Sequence, residues 1–451
     1  MKKVIAALLC ICMAAGLVGC GSGTAANETE NAAEESASTE SDASDEAESS
    51  AADGAEAEQT QEGAAEAASR TTITLLSWYT EEQLKGLKDG FEAANPDLEL
   101  EIQYVPPTEQ YTEKIMLLMN GDEPTDLFFY GPDFGEAIDE TNFAEDLSSL
   151  PVMEKLSSNA KRTMSIGDKI YAVSLDSWAG CMFYNTELFE QAGITQVPQT
   201  WDELVEAMGK LNDLGVEPLV AQSADAGRLL LGLFAANEIS KDPEAEYGLA
   251  DGSKTFSELY GPSMEAWYED VVAPGYIRQS CLSLTSDQAE EMFANGKAAM
   301  LLGGPWNIPN FIQKNPEASF DAFAVPGFEG NPTLQGGANV GIGVTTGAAH
   351  KEEAYRFMDY LTSEEGMAIW AAALGNFMNV PGVEYEVHPC LEKFKDAVAN
   401  DELYWQTVVW PDSASVLNEF TTSCQNVIAG IYTPEEALES IDAKIADLIS
   451  Q

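Results

Sequence analysis

The sequence predicts an α/β fold. Three observations predict it. Strand-like and helix-like segments alternate from residue 71 onward. The 45% hydrophobic fraction is enough for a large core. The length of 451 residues suggests two to three domains, or two large lobes. Taken in order, Thr71-Thr72-Ile73-Thr74-Leu75-Leu76 reads as a buried strand. Glu81 to Ala93 follows with Leu84, Leu87 and Phe91 at helical spacing, and Asn95-Pro96-Asp97 stops it. Residues 98–104 alternate like a strand with one wet face. Tyr111 to Met119 reads as a second amphipathic helix and Asp126 to Tyr130 as a third strand. Ligands of such sheets sit beyond the carboxyl ends of the strands. Those ends carry Trp78-Tyr79 and Tyr130-Gly131-Pro132-Asp133.

Further along, residues 169–175 read as one strand and 181–184 as another, with Asp176 to Gly180 between them. Thr200 is placed to cap a helix, and Glu203 to complete a capping box. From there to about residue 280 the pattern is mostly helical. Gly296 ends a helix, and a short apolar strand runs into Gly303-Gly304-Pro305-Trp306. Residues 336–344 read as a single glycine-punctuated strand. Residues 354–361 and 364–373 are helical, and 434–449 form a last helix with Thr433 as N-cap and Pro434 at its first position.

The charge excludes some partners. Only 22 Lys+Arg stand against 76 Asp+Glu, a net charge of −54. A nucleic-acid backbone or an anionic lipid surface needs a cationic face, which this chain lacks. Residues 1–20 form a secretory signal: Lys2 and Lys3 precede an apolar run from Val4 to Val18 that is too short for comfortable bilayer spanning. Its end, Leu17-Val18-Gly19-Cys20, resembles a bacterial lipobox, in which the cysteine becomes the lipidated N-terminus. Residues 21–70 hold 14 acids, one base and no aromatic residue, and read as a disordered acidic tether. Most of the negative excess nevertheless lies beyond residue 70. Cys181, Cys281, Cys390 and Cys424 remain for the folded part, without a Cys-x-x-Cys spacing for zinc. Export permits disulfides, in three pairings that sequence does not choose among. Buried free thiols are the preferred reading.

Several segments together carry a resemblance. They are Gly121-Asp122-Glu123-Pro124-Thr125-Asp126-Leu127-Phe128, Lys169-Ile170-Tyr171-Ala172-Val173, Phe183-Tyr184-Asn185-Thr186-Glu187-Leu188-Phe189 and Gln199-Thr200-Trp201-Asp202-Glu203-Leu204. Phe293-Ala294-Asn295-Gly296-Lys297-Ala298-Ala299-Met300, leading to Gly303-Gly304-Pro305-Trp306, and Thr433-Pro434-Glu435-Glu436-Ala437-Leu438 complete the set. In this order, behind a lipobox and a tether, the chain resembles the carbohydrate-type family 1 extracellular solute-binding proteins of bacterial ABC importers, the group of maltose-binding protein. One departure is Thr125, which splits the family's usual Pro-Asp. The resemblance implies a two-lobed, type II periplasmic-binding-protein-like α/β fold with a hinge and an interlobe ligand cleft. It implies lobes of about 71–178 plus 340–395 and 181–335 plus 400–451. It also implies a monomeric binder, not an enzyme, held to the membrane only through its lipid and delivering a sugar to permease subunits.

A neutral sugar needs flat aromatic faces for its rings and fixed polar groups for its hydroxyls. The resemblance places such residues at Trp78, Tyr79, Tyr130, Asp133, Trp178, Gln222 and Trp306, with Gly336, Gly337 and Asn339 on the hinge side. A sugar binder of this family can carry a carboxylate where Trp178 stands, and Asp176 lies two residues earlier. Asn376-Phe377 and Trp410-Asp412 are further candidates, and Asp133 has a second reading as a helix cap. Trp201 and Trp370 are read as core. The same aromatics with Asp133 and Asp176 suit an organic cation, the within-class alternative. A secreted glycoside hydrolase needs two carboxylates across a bond, but the eightfold strand–helix repeat of a barrel is missing. His350 and His388 form no His-x-x-x-His pair, and no Gly-x-Ser-x-Gly elbow occurs. A surface adhesin without transport is a third class. No metal or cofactor is expected.

Overall fold

In the computed structural model the described residues are 70–450, apart from 107, 108, 122–124, 133, 134 and 331. The signal, Cys20, Asp133 and the acidic segment up to residue 69 lie outside them. Thirteen strands occur among the described residues: β1 (Thr71–Ser77), β2 (Leu98–Tyr104), β3 (Leu127–Tyr130), β4 (Ser165–Ile166), β5 (Lys169–Ile170), β6 (Asp176–Asn185), β7 (Glu217–Val220), β8 (Ala298–Gly303), β9 (Phe320–Phe323), β10 (Leu334–Ala338), β11 (Gly341–Val344), β12 (Phe377–Met378) and β13 (Leu403–Tyr404).

The first lobe is built on a sheet of order β11-β3-β1-β2. Ile73, Leu75 and Leu76 of β1 have no exposed surface. β1 runs parallel to β2 and β3, with Ile73 opposite Leu100 and Leu75 opposite Leu127. On β2 the alternation holds: Leu98 and Leu100 are buried, Glu99 and Glu101 exposed. The helix Lys85–Ala94 lays Leu87 and Phe91 into the core. It starts later than Glu81, because Thr80 and Gln83 close a turn first. The Thr80 N–H and hydroxyl both donate to Gln83 Oε1 (3.0 Å each).

Three strand expectations change at the connection between lobes. The strand over 169–175 shrinks to β5, paired with β4 across a turn at Gly167 (φ 59°). Beyond Ile170 the chain rejoins the sheet only at the bridge Val173–Ile342. The separator Asp176–Gly180 is instead continuous strand. Residues 177–180 all face antiparallel partners on β10, with Gly337 opposite Trp178. β6 then pairs with β8 and β9 at its far end and with β12 at its near end. The expected strand 336–344 is split at Asn339-Val340: β10 joins the second sheet and β11 the first. Gly336 permits the approach of β10 to β6, since a Cβ there would stand 2.2 Å from the Trp178 carbonyl oxygen.

The second lobe holds the sheet β13-β10-β6-β8-β7 and two apolar clusters, one around Phe234, Tyr260 and Trp267, the other around Phe183, Phe293 and Phe311. Val387, Cys390, Leu391 and Phe394 pack into the Phe183 cluster, although the sequence expectation groups residues up to 395 with the first lobe. β7 interrupts the expected helical stretch. At the helix Trp201–Asp213, Thr200 accepts from Glu203 N, but the Glu203 carboxylate reaches one residue further back, to Gln199 N (2.7 Å). Thr433 and Glu436 do form the reciprocal box at the last helix (3.2 and 2.8 Å), a motif whose cap contributes about 1 kcal/mol. The four described cysteines are free and buried. No helix among the described residues is long and apolar enough to cross a membrane.

Candidate ligand-binding site

Three tryptophans meet where β6, β10 and the loop after β8 converge. Trp178 lies edge-on to Trp306 (centroids 5.7 Å, 65°) and to Trp405 (5.5 Å, 84°), the geometry that aromatic quadrupoles favour. Two glycines make room for these rings. A Cβ at Gly304 would stand 2.3 Å from the Trp306 ring, and one at Gly337 would stand 3.2 Å from that of Trp405. Trp306 is 47% exposed, the one large ring of the group that is turned outward to that extent.

A residue next to each of the two loop tryptophans is tied to a buried carboxylate. Glu290 accepts from Asn307 Nδ2 (2.7 Å) and Asn310 Nδ2 (2.9 Å), and Asn307 Oδ1 accepts from Gly304 N (2.9 Å). Those bonds bracket Trp306 in the chain. Glu246 accepts from the Tyr260 hydroxyl (2.6 Å), the Trp410 indole (2.9 Å) and the Tyr404 hydroxyl. Tyr404 immediately precedes Trp405. Burial pushes the Glu246 carboxyl above its ordinary 4.5, and the three donors oppose that rise.

Polar groups flank the rings. The Arg228 guanidinium stands over the Trp306 ring, 5.9 Å from its centroid. Its Nε (3.0 Å) and Nη2 (2.8 Å) donate to Asp225 Oδ1, and Gln222 Nε2 donates to Asp225 Oδ2 (2.7 Å). Asp225 thereby fixes two longer side chains, both partly exposed.

At the crossing between lobes Asp176 is fully buried. Its Oδ1 accepts from the Trp370 indole (2.7 Å), and its Oδ2 from Asn339 Nδ2 (2.8 Å) and Asn376 Nδ2 (2.7 Å). Its backbone carbonyl accepts from Asn339 N (2.8 Å) and Asn379 Nδ2 (2.9 Å). Burial raises its pKa above 3.8 and the three side-chain donors pull it down. Asp176 therefore clamps the crossing strands together, and neither of its oxygens faces outward as a ligand carboxylate would. Trp370, read as core, is core, with Asp176 as the partner that its N–H requires.

On the first lobe Trp78 and Tyr79 are half-buried. Trp78 packs on Tyr111 (5.0 Å) and Phe129 (5.9 Å), and Tyr79 on Phe129 (5.4 Å). The Ser77 hydroxyl pins Tyr79 by accepting from its N–H and donating to its carbonyl (2.9 Å each). Asn339 Nδ2 reaches the Tyr79 hydroxyl (3.4 Å), so Tyr79 and Asn339 are brought together. Tyr130 has no exposed surface: β3 is buried on both faces, so the ring joins the core and offers nothing to a ligand. Trp410 is likewise consumed by Glu246, and Asp412 caps the helix Ser413–Ile428 through Ser415 N. Trp201 is buried, with its indole on Asp270 (2.7 Å).

The sequence reading missed Trp405, Asp225 and Arg228. The signal for the last two was local, because they lie three and six residues after Gln222 on the same turn into a helix. Trp405 gave none, since only the parallel pairing of β13 with β10 brings it beside Gly337. Among the described residues no cluster of His, Cys, Asp or Glu is arranged to hold a metal ion. Two surface cavities around Val383–His388 are lined by no tryptophan.

Residues 77–368 match the family described as bacterial extracellular solute-binding protein. The multiple sugar-binding protein of Streptococcus mutans is 23% identical over 360 residues, 76% of this chain and 82% of that protein. The galactooligosaccharide-binding protein of Bacillus subtilis is 22% identical over 400 residues, 84% of this chain and 90% of that protein. The solved structure of a family 1 extracellular solute-binding protein from Bifidobacterium longum subsp. infantis shares the two-lobed fold, with a TM-score of 0.70 at 24% identity over 84% of this chain and all of that one.

Proposed function

The chain belongs to the bacterial extracellular solute-binding proteins, and from that membership we propose that it captures a sugar or oligosaccharide between its lobes and hands it to the permease of an ABC importer. The observation that carries the reading is the gathering of Trp178, Trp306 and Trp405 beside Gln222, Asp225 and Arg228. Flat rings cover the C–H faces of a pyranose, and a fixed set of donors and acceptors takes its hydroxyls. The sugar-binding names of the relatives in Streptococcus mutans and Bacillus subtilis support the same ligand class.

In this reading Trp78, Tyr79 and Asn339 contribute from the first lobe, Gly337 keeps the space for Trp405, and Asp133 adds a polar group. Asp176 acts on the hinge rather than on the ligand. The lobes run about 71–178 plus 340–380 and 181–335 plus 387–451. A lipid on Cys20 holds the monomer at the outer face of the cell membrane, and residues 21–70 let it range from that anchor. The protein is a binder rather than an enzyme.

Titration of intrinsic tryptophan fluorescence with neutral oligosaccharides of two to four units, alongside choline, tests the proposal. A saturating response to at least one sugar is expected. That sugar, at a hundred times its Kd, should stabilise the fold by about 2.7 kcal/mol, read as a rise in melting temperature. A response to choline and to no sugar would sink the sugar reading.

A further inference from the structure

The protein as a whole attracts cations, with a net charge of −54. Exposed tryptophan faces are also good cation-binding surfaces. A sugar site made of such rings on such a surface also offers a cation a favourable contact. Arg228 is placed to prevent it. Its guanidinium is the cation already standing over the exposed ring of Trp306. Asp225 and Gln222 fix it there: both Arg228 bonds go to Asp225 Oδ1, and Asp225 Oδ2 is taken by Gln222. The guanidinium therefore already holds a cation position over the ring, which an incoming ammonium would have to share or displace. At such separations two like charges repel appreciably even near a protein surface.

We propose that Arg228 is a specificity-determining residue that reserves the Trp306 face for uncharged sugar units and excludes cationic ligands, amino sugars with free amines among them. This deepens the sugar-binding reading and rests on it. The same guanidinium keeps N–H groups beyond those that bind Asp225, and these suit hydroxyl oxygens of a neutral ring. An alkylammonium ligand offers no acceptor for them.

The test compares wild-type protein with Arg228→Gln and Arg228→Lys. Each is titrated with choline and with maltotriose, raffinose and N-acetylchitotriose, by tryptophan fluorescence and calorimetry. Arg228→Gln should gain affinity for choline by at least about tenfold, the scale of a cation–π contact no longer opposed. Arg228→Lys should exclude choline as the wild type does. Equal choline affinity in all three proteins, or no choline binding in any, overturns the proposal. The sugar arms are independent: if no sugar moves the wild-type signal while Arg228→Gln gains choline, the sugar reading and the reservation for sugar fall, and only the exclusion of cations by Arg228 stands. Melting curves establish that the variants fold, and Arg228→Met, with a stem of similar reach, replaces Arg228→Gln should that variant unfold.

Discussion

The two lobes use their aromatic residues in opposite ways. Around the sheet of the second lobe Trp306 is exposed and Trp178 and Trp405 are half-buried; Trp178 lies edge-on to each of the other two, and Glu290 and Glu246 bond residues adjacent to Trp306 and Trp405. On the first lobe Tyr130 is fully buried and Trp78 and Tyr79 lean on Tyr111, Phe129 and Trp370. One face leaves apolar area open to a ligand, the other commits it to its own core. The difference teaches that an aromatic residue at a strand end is not by itself a ligand contact. What separates the two cases is whether the polar bonds around the ring belong to its loop or to the ring's own packing.

The comparison can be broken or sharpened by substitution. The largest effect is expected at the seam the lobes share. Gly336→Ala sets a methyl against the Trp178 carbonyl, and should cost about 3 kcal/mol of stability in chemical denaturation as well as disturbing Trp178. Trp78→Ala should cost about 2 kcal/mol of stability, seen as a lower melting temperature, with affinity for sugar changing less than that. Trp306→Ala should do the reverse: melting within a few degrees of wild type, but affinity weaker by about 2 kcal/mol, roughly thirtyfold, by calorimetry. If Trp78→Ala lost affinity as steeply as Trp306→Ala, the contrast between the lobes would collapse. Tyr130→Phe should leave affinity within about twofold and lower stability by about 1 kcal/mol at most.

The smallest effect lies in the thiols, whose burial is independent of either aromatic face. Burial pushes Cys281 up to about 11 and Cys390 up to about 12, from an ordinary 9.0. The folded values exceed the unfolded one, so the stability they confer is complete below pH 9 and declines as pH rises through about 11 and 12. Iodoacetamide at pH 8 should leave all four cysteines of the folded lobes unmodified by mass spectrometry, and should label them once urea unfolds the chain.

The regular part of the fold was legible because its signals are local. The alternation on β2, the Asn95-Pro96 stop and the Thr433–Glu436 cap each act within a few residues. The connection between lobes was not legible for the same reason. Asp176–Gly180 looks like a loop until β10, more than 150 residues later, supplies its ladder. Asn339-Val340 carries no breaker, and only the competition of two sheets for β10 and β11 divides that strand. In the candidate site, the exposure of Trp306 was readable because its Gly-Gly-Pro turn projects it. Tyr130 was misread because a run of apolar residues ending in Tyr looks alike whether the strand has one neighbour sheet face covered or two. Asp176 was misread because its three amide and indole partners come from residues 339, 370 and 376.

The pairing of β3 with β11 has a consequence for how the chain is made. Leu127 finds Val344 as its partner, and the first core is completed only by residues up to Val380. A growing chain that has not reached Gly341 therefore carries an open strand edge and an unroofed apolar face, however long ago the residues of β1 were synthesised. Contacts so distant in sequence form slowly. The early lobe stays unfinished until most of the polypeptide exists, and until then the edge of β3 that β11 will cover is open to mispairing.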